Sequence, residues 1–401
     1  MNPSRKMWQL VVIVGVVSGL IGAAYIGAMQ FVDHVLGAEH WSNGGHLVVL
    51  ALVGAAIGGL TLLLGSPGDV ELLVDNIHVT GGREDIRDLR SLIPVSLLGI
   101  GAGSAIGPEA PLVQTTGSIG SWVARRHGLG TEDLRVLTIT GMAAGFTVLF
   151  GTPLGGAIFA LEILHRRGLQ YYEALMPSAI GALSGYAVFS VVRDAGMGPV
   201  WDFPAGSRLH PGDLLVGVGG GVAGAAVAIA FTYVTVFQRW VIHQLPALAR
   251  PVAGGLILGG LAFLSPYALT FGEAQINTIL ATELGIGTLL LAAGCKLLAS
   301  SAMVSSGWRG GFIIPLFFLG VVLGTIASRE LHTDLVVTVV ALMVACNVGV
   351  TKTPFGSTLV VTGMAGVALL PTSLVAAIVA LVLTSRVGLI ETQRERDPVV
   401  A

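Results

Sequence analysis

Charge is what this sequence has least of. Asp, Glu, Lys and Arg together supply 11% of its 401 residues, less than half the roughly 25% of a soluble domain. So little polar surface cannot cover so large an apolar volume, which excludes a soluble globular protein. The net charge of −2 comes from 21 basic and 23 acidic residues, and no basic field is present to attract nucleic acid. Cysteine is nearly absent, with Cys295 and Cys346 each inside an apolar run. Without a CxxC spacing these two are read as small packing residues, and no metal or cofactor is expected. There is no G-x-y period to indicate collagen, and the apolar content is too high for disorder.

What is present is apolar length and glycine. Hydrophobic residues make up 53% of the chain, and the mean hydropathy is +0.83. The 57 glycines are about twice the usual ~7% share. An all-α polytopic membrane protein is the expectation. Stretches long enough to cross about 30 Å of hydrocarbon occur at Trp8–Val32, His46–Leu64, Leu214–Val236, Gly285–Met303 and His332–Val350. The first follows a basic N-terminus but is too long for a signal-peptide core, so it is read as a span. Ile93–Ile106, Gly151–Leu164 and Gly310–Thr325 are cut by Gly, Pro or a charge. Broken segments at membrane depth are tolerated where protein or an aqueous cavity covers the freed backbone, and in transporters they mark the binding site.

The chain also repeats itself. Val136-Leu-Thr-Ile-Thr-Gly-Met-Ala-Ala, followed by Gly151-Thr-Pro-Leu-Gly155, lies over Val337-Thr-Val-Val-Ala-Leu-Met-Val-Ala, followed by Lys352-Thr-Pro-Phe-Gly356. Upstream, Pro111-x8-Gly120 lies over Pro315-x8-Gly324 at nearly the same offset. This predicts two repeats, 8–192 and 210–392, inside one transmembrane domain spanning 1–401. They are joined by the polar stretch Arg193–Asp213, and no soluble domain is expected after Glu391.

Gly107-Pro-Glu-Ala-Pro111 is the sharpest local feature. A carboxylate in an apolar run costs about 2.5–3.5 kcal/mol at the bilayer centre and is a functional candidate by default. The prolines suit a first helical turn, which places Glu109 where free N–H groups and the dipole favour an anion; it either serves an anion site or caps its own helix. The second repeat offers a matching helix start at Gly310-Gly-Phe-Ile-Ile-Pro315. Two such starts converging from opposite halves form an anion site without a full positive charge, which permits release as well as binding.

These residues carry a family resemblance. Gly107-Pro-Glu-Ala-Pro111 resembles the G-[K/R]-E-G-P motif of the CLC chloride channel and proton/chloride antiporter family. Phe150-Gly-Thr-Pro-Leu-Gly-Gly-Ala-Ile-Phe-Ala-Leu-Glu162 is similar to its F-x-x-P-L-x-G-x-x-F-x-x-E segment. Gly310-Gly-Phe-Ile-Ile-Pro315, with Gly320 and Gly324, resembles a third segment, and Gly65-Ser-Pro-Gly-Asp-Val-Glu71 is a weaker match to G-S-G-I-P-E. The resemblance implies a short prokaryotic-type member without CBS domains, forming a homodimer in the cell membrane with one pore per inverted-repeat subunit. Chloride or a similar small anion is the implied substrate, with protons as a second one if transport is coupled. Glu109 takes the place of the gating glutamate, with Ala110 beside it. The hydroxyl of Ser66 and the N–H groups of Phe312 and Ile313 are implied to hold a central anion. Lys296 and Glu162 are further pathway candidates; for Lys296, and for Lys352, snorkelling to the interface is the alternative.

Four departures stand out. Pro108 replaces a basic residue and removes an N–H donor. Ile163 stands where the family places an internal proton-transfer glutamate, and an isoleucine relays no proton. The tyrosine that closes the central site from inside would align near Ile390. Phe312 occupies a position where the fluoride-selective branch tends to carry glutamate, which disfavours fluoride specialisation. Ile163 and the missing tyrosine lean toward loose coupling or a channel, with a coupled antiporter as the alternative. An intramembrane enzyme, built on Ser300 with Lys296 one turn away or on Ser104, is the competing class. Basic clusters at Arg5–Lys6, Arg125–His127 and His165–Arg167 mark cytoplasmic faces, with both termini inside.

Overall fold

The structure is a computed structural model and describes residues 5–68, 70–165, 171–194, 200–204 and 209–393. Arg166 and Arg167, and part of the Arg193–Asp213 stretch, lie outside the described residues. Sixteen α-helices and no β-strand are found among those described. The first eight are α1 (Arg5–Leu36), α2 (Asn43–Leu64), α3 (Val70–Val79), α4 (Leu89–Gly101), α5 (Glu109–Arg126), α6 (Thr131–Phe150), α7 (Pro153–Glu162) and α8 (Leu175–Val192). They are followed by α9 (Asp213–Ile242), α10 (Ala249–Leu264), α11 (Glu273–Ala281), α12 (Ile286–Ser305), α13 (Ile313–Leu331), α14 (Leu335–Thr351), α15 (Pro354–Ala365) and α16 (Leu370–Leu383).

Local chemistry sets the ends of these helices. Pro153 and Pro354 occupy the first positions of α7 and α15, where a missing N–H costs no intrahelical bond. Asp334 caps α14 by accepting from the N–H groups of Val336 and Val337. Gly151 closes α6 in a left-handed conformation, φ 66°, which its lack of a Cβ allows.

Among the described residues seven helices are long and apolar enough to cross a membrane: α1, α2, α6, α8, α9, α12 and α13. Two expectations change. Gly310–Thr325 is not an interrupted segment, because α13 runs unbroken for 19 residues from Ile313. Its Pro315 falls in the first turn, where no intrahelical bond is lost. The stretch His332–Val350 yields α14 of only 17 residues.

Packing follows small residues. α5 lies on α6 and α13 lies on α14; α1 packs on α8 and α9 on α16; α7 meets α15. Gly120 of α5 sits against the backbone of Leu137, and Gly320 of α13 against that of Met343. A side chain at either glycine would drive the helices apart, since small residues are what let backbones approach in a membrane. α5, α6, α13 and α14 are therefore buried in protein along most of their length. The starts of α5 and α13 both lie at this centre.

Candidate functional site

The loops ahead of α5 and α13 meet. Gly107 and Gly311 form an isolated antiparallel bridge, with Gly107 N–H donating to the Gly311 carbonyl at 2.8 Å and Gly311 N–H to the Gly107 carbonyl at 2.6 Å. The first turns of the two helices are thereby held side by side, and the N–H groups of a first turn have no intrahelical acceptor.

Glu109 is the first residue of α5 and has no solvent exposure. Its carboxylate reaches beyond its own helix: Oε1 accepts the N–H of Ile314, in the first turn of α13, at 2.6 Å. The acceptor and donor are 205 residues apart in sequence. The other oxygen, Oε2, is buried and has no hydrogen-bond partner among the described residues. Gly107 and Gly311 flank it closely enough that a Cβ on either would strike it. A carboxylate is thus seated at a helix N-terminus, where partial positive charge and free N–H groups receive an anion.

Two cavities lie beside this point and share Ala110 and Phe312 in their walls. The first has about 80 Å³ of free volume; Gly68, Ala110, Gln114, Arg239, Arg309 and Phe312 are among its lining residues, with Leu389 and Ile390 also on its wall. Arg239, in the last turn of α9, stands 3.9 Å from Glu71 of α3 at its edge. The second has about 20 Å³ and runs from Ala110, Phe312 and Ile313 to Ile163, between Leu73, Val74, Met142 and Phe146. That is room for about one water, and every side chain around it is apolar.

The sequence candidates separate into two groups. Glu109, Ala110, Phe312 and Ile313 come together at the two helix starts. Ser66 does not join them; it is exposed and lines a neighbouring cavity of about 300 Å³ with Arg309, Ser305 and Ser306. Glu162 accepts the N–H groups of Phe355 at 3.2 Å and Gly356 at 2.6 Å, capping α15. Lys296 is fully buried and donates to the carbonyls of Leu269 (2.9 Å) and Thr270 (2.6 Å), with its ammonium 4.8 Å from the Phe318 ring centre. Neither of these two lines the two cavities at Glu109. Lys352 does not snorkel either: it donates to Gly349 and to both Thr384 oxygens. Ser300 donates to the Ala105 carbonyl at 2.7 Å, so its hydroxyl and Lys296 are turned to different acceptors.

Gln114 was not singled out from the sequence. It lies one and a half turns into α5, its amide Nε2 is buried without a partner among the described residues, and it sits against Gly68 on the wall of the first cavity. An unpaired buried donor beside an anion site is a signal only the assembled helices reveal.

A family model described as voltage gated chloride channel matches residues 65–385. A chloride/fluoride channel protein from Pseudomonas syringae is 28% identical over 378 residues, covering 89% of this chain and 80% of that protein. An H(+)/Cl(−) exchange transporter from Yersinia pseudotuberculosis is 28% identical over 342 residues, covering 78% and 69%. Among solved structures, a CLC-type fluoride/proton antiporter superposes with a TM-score of 0.84 at 19% identity, over 98% of each chain. A slow cyanobacterial Cl−/H+ antiporter gives 0.79 at 21%, over 96% of each. These two share the fold. With the family model spanning most of its length, the chain belongs to the voltage-gated chloride channel family.

Proposed function

We propose that this protein carries a small halide, chloride first, across the membrane, with Glu109 as its gate. One observation carries the reading: the Glu109 carboxylate sits on the Ile314 N–H at the start of α13, in the position an anion would take. Protonation removes its negative charge and weakens its hold on that N–H, so the side chain can leave and a halide can enter. Ala110, Phe312 and Ile313 frame the position, and Gln114 offers an amide donor from the side of the first cavity. Pro108 contributes no N–H, so anions bind weakly enough to pass.

Slack coupling to protons is the favoured form. Ile163 closes the narrow second cavity with an alkyl group, and Ile390 gives the first cavity no hydroxyl. The names of relatives include both exchangers and a channel, which keeps tight antiport as the second form. The two halves are read as repeats of one another and the working unit as a homodimer in the cell membrane. Transport rather than catalysis is supported by the separate acceptors of Ser300 and Lys296, which form no nucleophile–base pair. The test is simultaneous chloride and proton flux from proteoliposomes holding the wild type or E109Q. Absence of chloride flux in both would overturn the reading, and a fixed proton-to-chloride ratio in the wild type would select antiport.

A further inference from the structure

Away from the pathway, the loop between α3 and α4 faces the end of α5 across an open cavity of about 530 Å³. Its walls carry four arginines, Arg87, Arg90, Arg125 and Arg126, together with the exposed apolar side chains of Ile86 and Trp122. Asp85 is the one acidic side chain among the lining residues, and its Oδ1 already accepts the Arg87 N–H at 2.9 Å. None of the four guanidinium groups forms an ion pair with a carboxylate among the described residues, and the Arg125 Nε is shut off from solvent without a hydrogen-bond partner.

Arg125 and Arg126 lie in the last turn of α5, where cations offset the helix dipole. That accounts for two of the four and leaves Arg87 and Arg90 unexplained. The cavity is built rather than accidental. Glu84 N–H donates to Ser121 Oγ at 3.0 Å, and Thr138 Oγ1 donates to the Gly82 carbonyl at 2.9 Å, fastening the loop to α5 and α6.

Arg125 attracts the buried Glu84 carboxylate from beyond ion-pair distance, and Arg87, Arg90 and Arg126 have no ion pair among the described residues. Guanidinium forks converging on a cavity in this way match the oxygens of a phosphate, which they bind two at a time. A free phosphate and a lipid headgroup share that chemistry. The exposed tryptophan and isoleucine decide between them, because Trp is the side chain that sits at the headgroup level and basic pockets there take anionic lipids. We propose that this cavity seats the phosphate of an anionic glycerophospholipid, with Trp122 and Ile86 against its glycerol and upper acyl chain.

The experiment uses the full chain in non-ionic detergent, titrated with short-chain phosphatidylglycerol, phosphatidylcholine or inorganic phosphate. Bound lipid is counted by native mass spectrometry, and the melting temperature is followed in parallel. Phosphatidylglycerol is expected to bind and raise the melting temperature, and phosphatidylcholine and inorganic phosphate to do neither. Removing two charges in R87Q/R90Q should weaken phosphatidylglycerol binding roughly ten- to thirtyfold, with chloride flux unchanged. R87K/R90K should recover part of it, which separates charge from loop damage. Equal phosphatidylglycerol binding by R87Q/R90Q and wild type would overturn the proposal. So would inorganic phosphate reproducing the full effect, which would make the cavity a free-anion site.

Discussion

Gly107 and Gly311 exchange both of their peptide hydrogen bonds, at 2.8 and 2.6 Å, so the starts of α5 and α13 are tied into one unit. The same two residues leave room for the Glu109 carboxylate between them. The three atoms nearest a methyl group at Gly107 all belong to the Glu109 carboxylate, while those nearest one at Gly311 include the Glu109 Cβ, at 2.9 Å. The far end of a side chain can swing aside, but a Cβ cannot. G107A is therefore expected to displace the carboxylate and raise chloride efflux at neutral pH with little change in melting temperature. G311A should lower the melting temperature as well. Efflux assays and thermal melts on both variants check this.

On the proposed gating, protonation of Glu109 weakens its hold on the Ile314 N–H. Wild-type chloride efflux should rise as external pH falls and this carboxylate takes up a proton. E109Q, neutral throughout, should give a flat profile. A pH-dependent E109Q would assign the gate to another group.

Glu84 supplies a pH dependence of stability rather than of transport. It lies in the loop after α3 with no exposure, and burial raises its pKa from 4.5 to about 8; the Asn76 amide and the Arg125 guanidinium offset only part of this. The folded state holds this proton more tightly than the unfolded chain. Its stabilising contribution is therefore complete below about pH 4.5 and is lost as pH rises to about 8. E84Q should flatten the fall in melting temperature across that window, measured in detergent from acid to mildly alkaline pH.

Lys296 and Glu162 are fasteners, and their removal should cost stability before function. K296M would strip the Leu269 and Thr270 carbonyls of their buried donor, and E162A would leave the Phe355 and Gly356 N–H groups without an acceptor. Each should destabilise by about 1–3 kcal/mol. Halide selectivity, measured by reversal potential, should stay as in the wild type for both.

The parts of the site that could be read from sequence are those marked by backbone punctuation. Glycine and proline show where a helix must begin, so Gly107–Pro111 and Gly310–Pro315 located the two starts, and a carboxylate at the first of them identified Glu109. Partners were not legible, because a side chain's acceptor is fixed by which distant backbone arrives beside it. Lys296 meets carbonyls 26 and 27 residues away, and Glu162 meets N–H groups more than 190 residues on. Ser66 resembled an anion ligand by motif, yet the turn after α2 leaves it beside Arg309 in another cavity. Gln114 carried no mark in the sequence at all. For α13, the glycines and proline that suggested a break are in fact the surface that packs on α14 and a tolerated first turn.

The way buried charges are held limits how a membrane voltage can act on this protein. Lys296, Lys352 and Glu162 are each pinned by at least two hydrogen bonds, most of them to backbone, whereas Glu109 is held through one oxygen with the other free. Moving one full elementary charge across 100 mV does about 2.3 kcal/mol of work, and one carboxylate swinging through a fraction of the field does less. Among these four buried charges only Glu109 is loosely held, which is too little movable charge for steep voltage gating. Any marked voltage dependence has to enter with the permeating anion, and should grow with halide concentration.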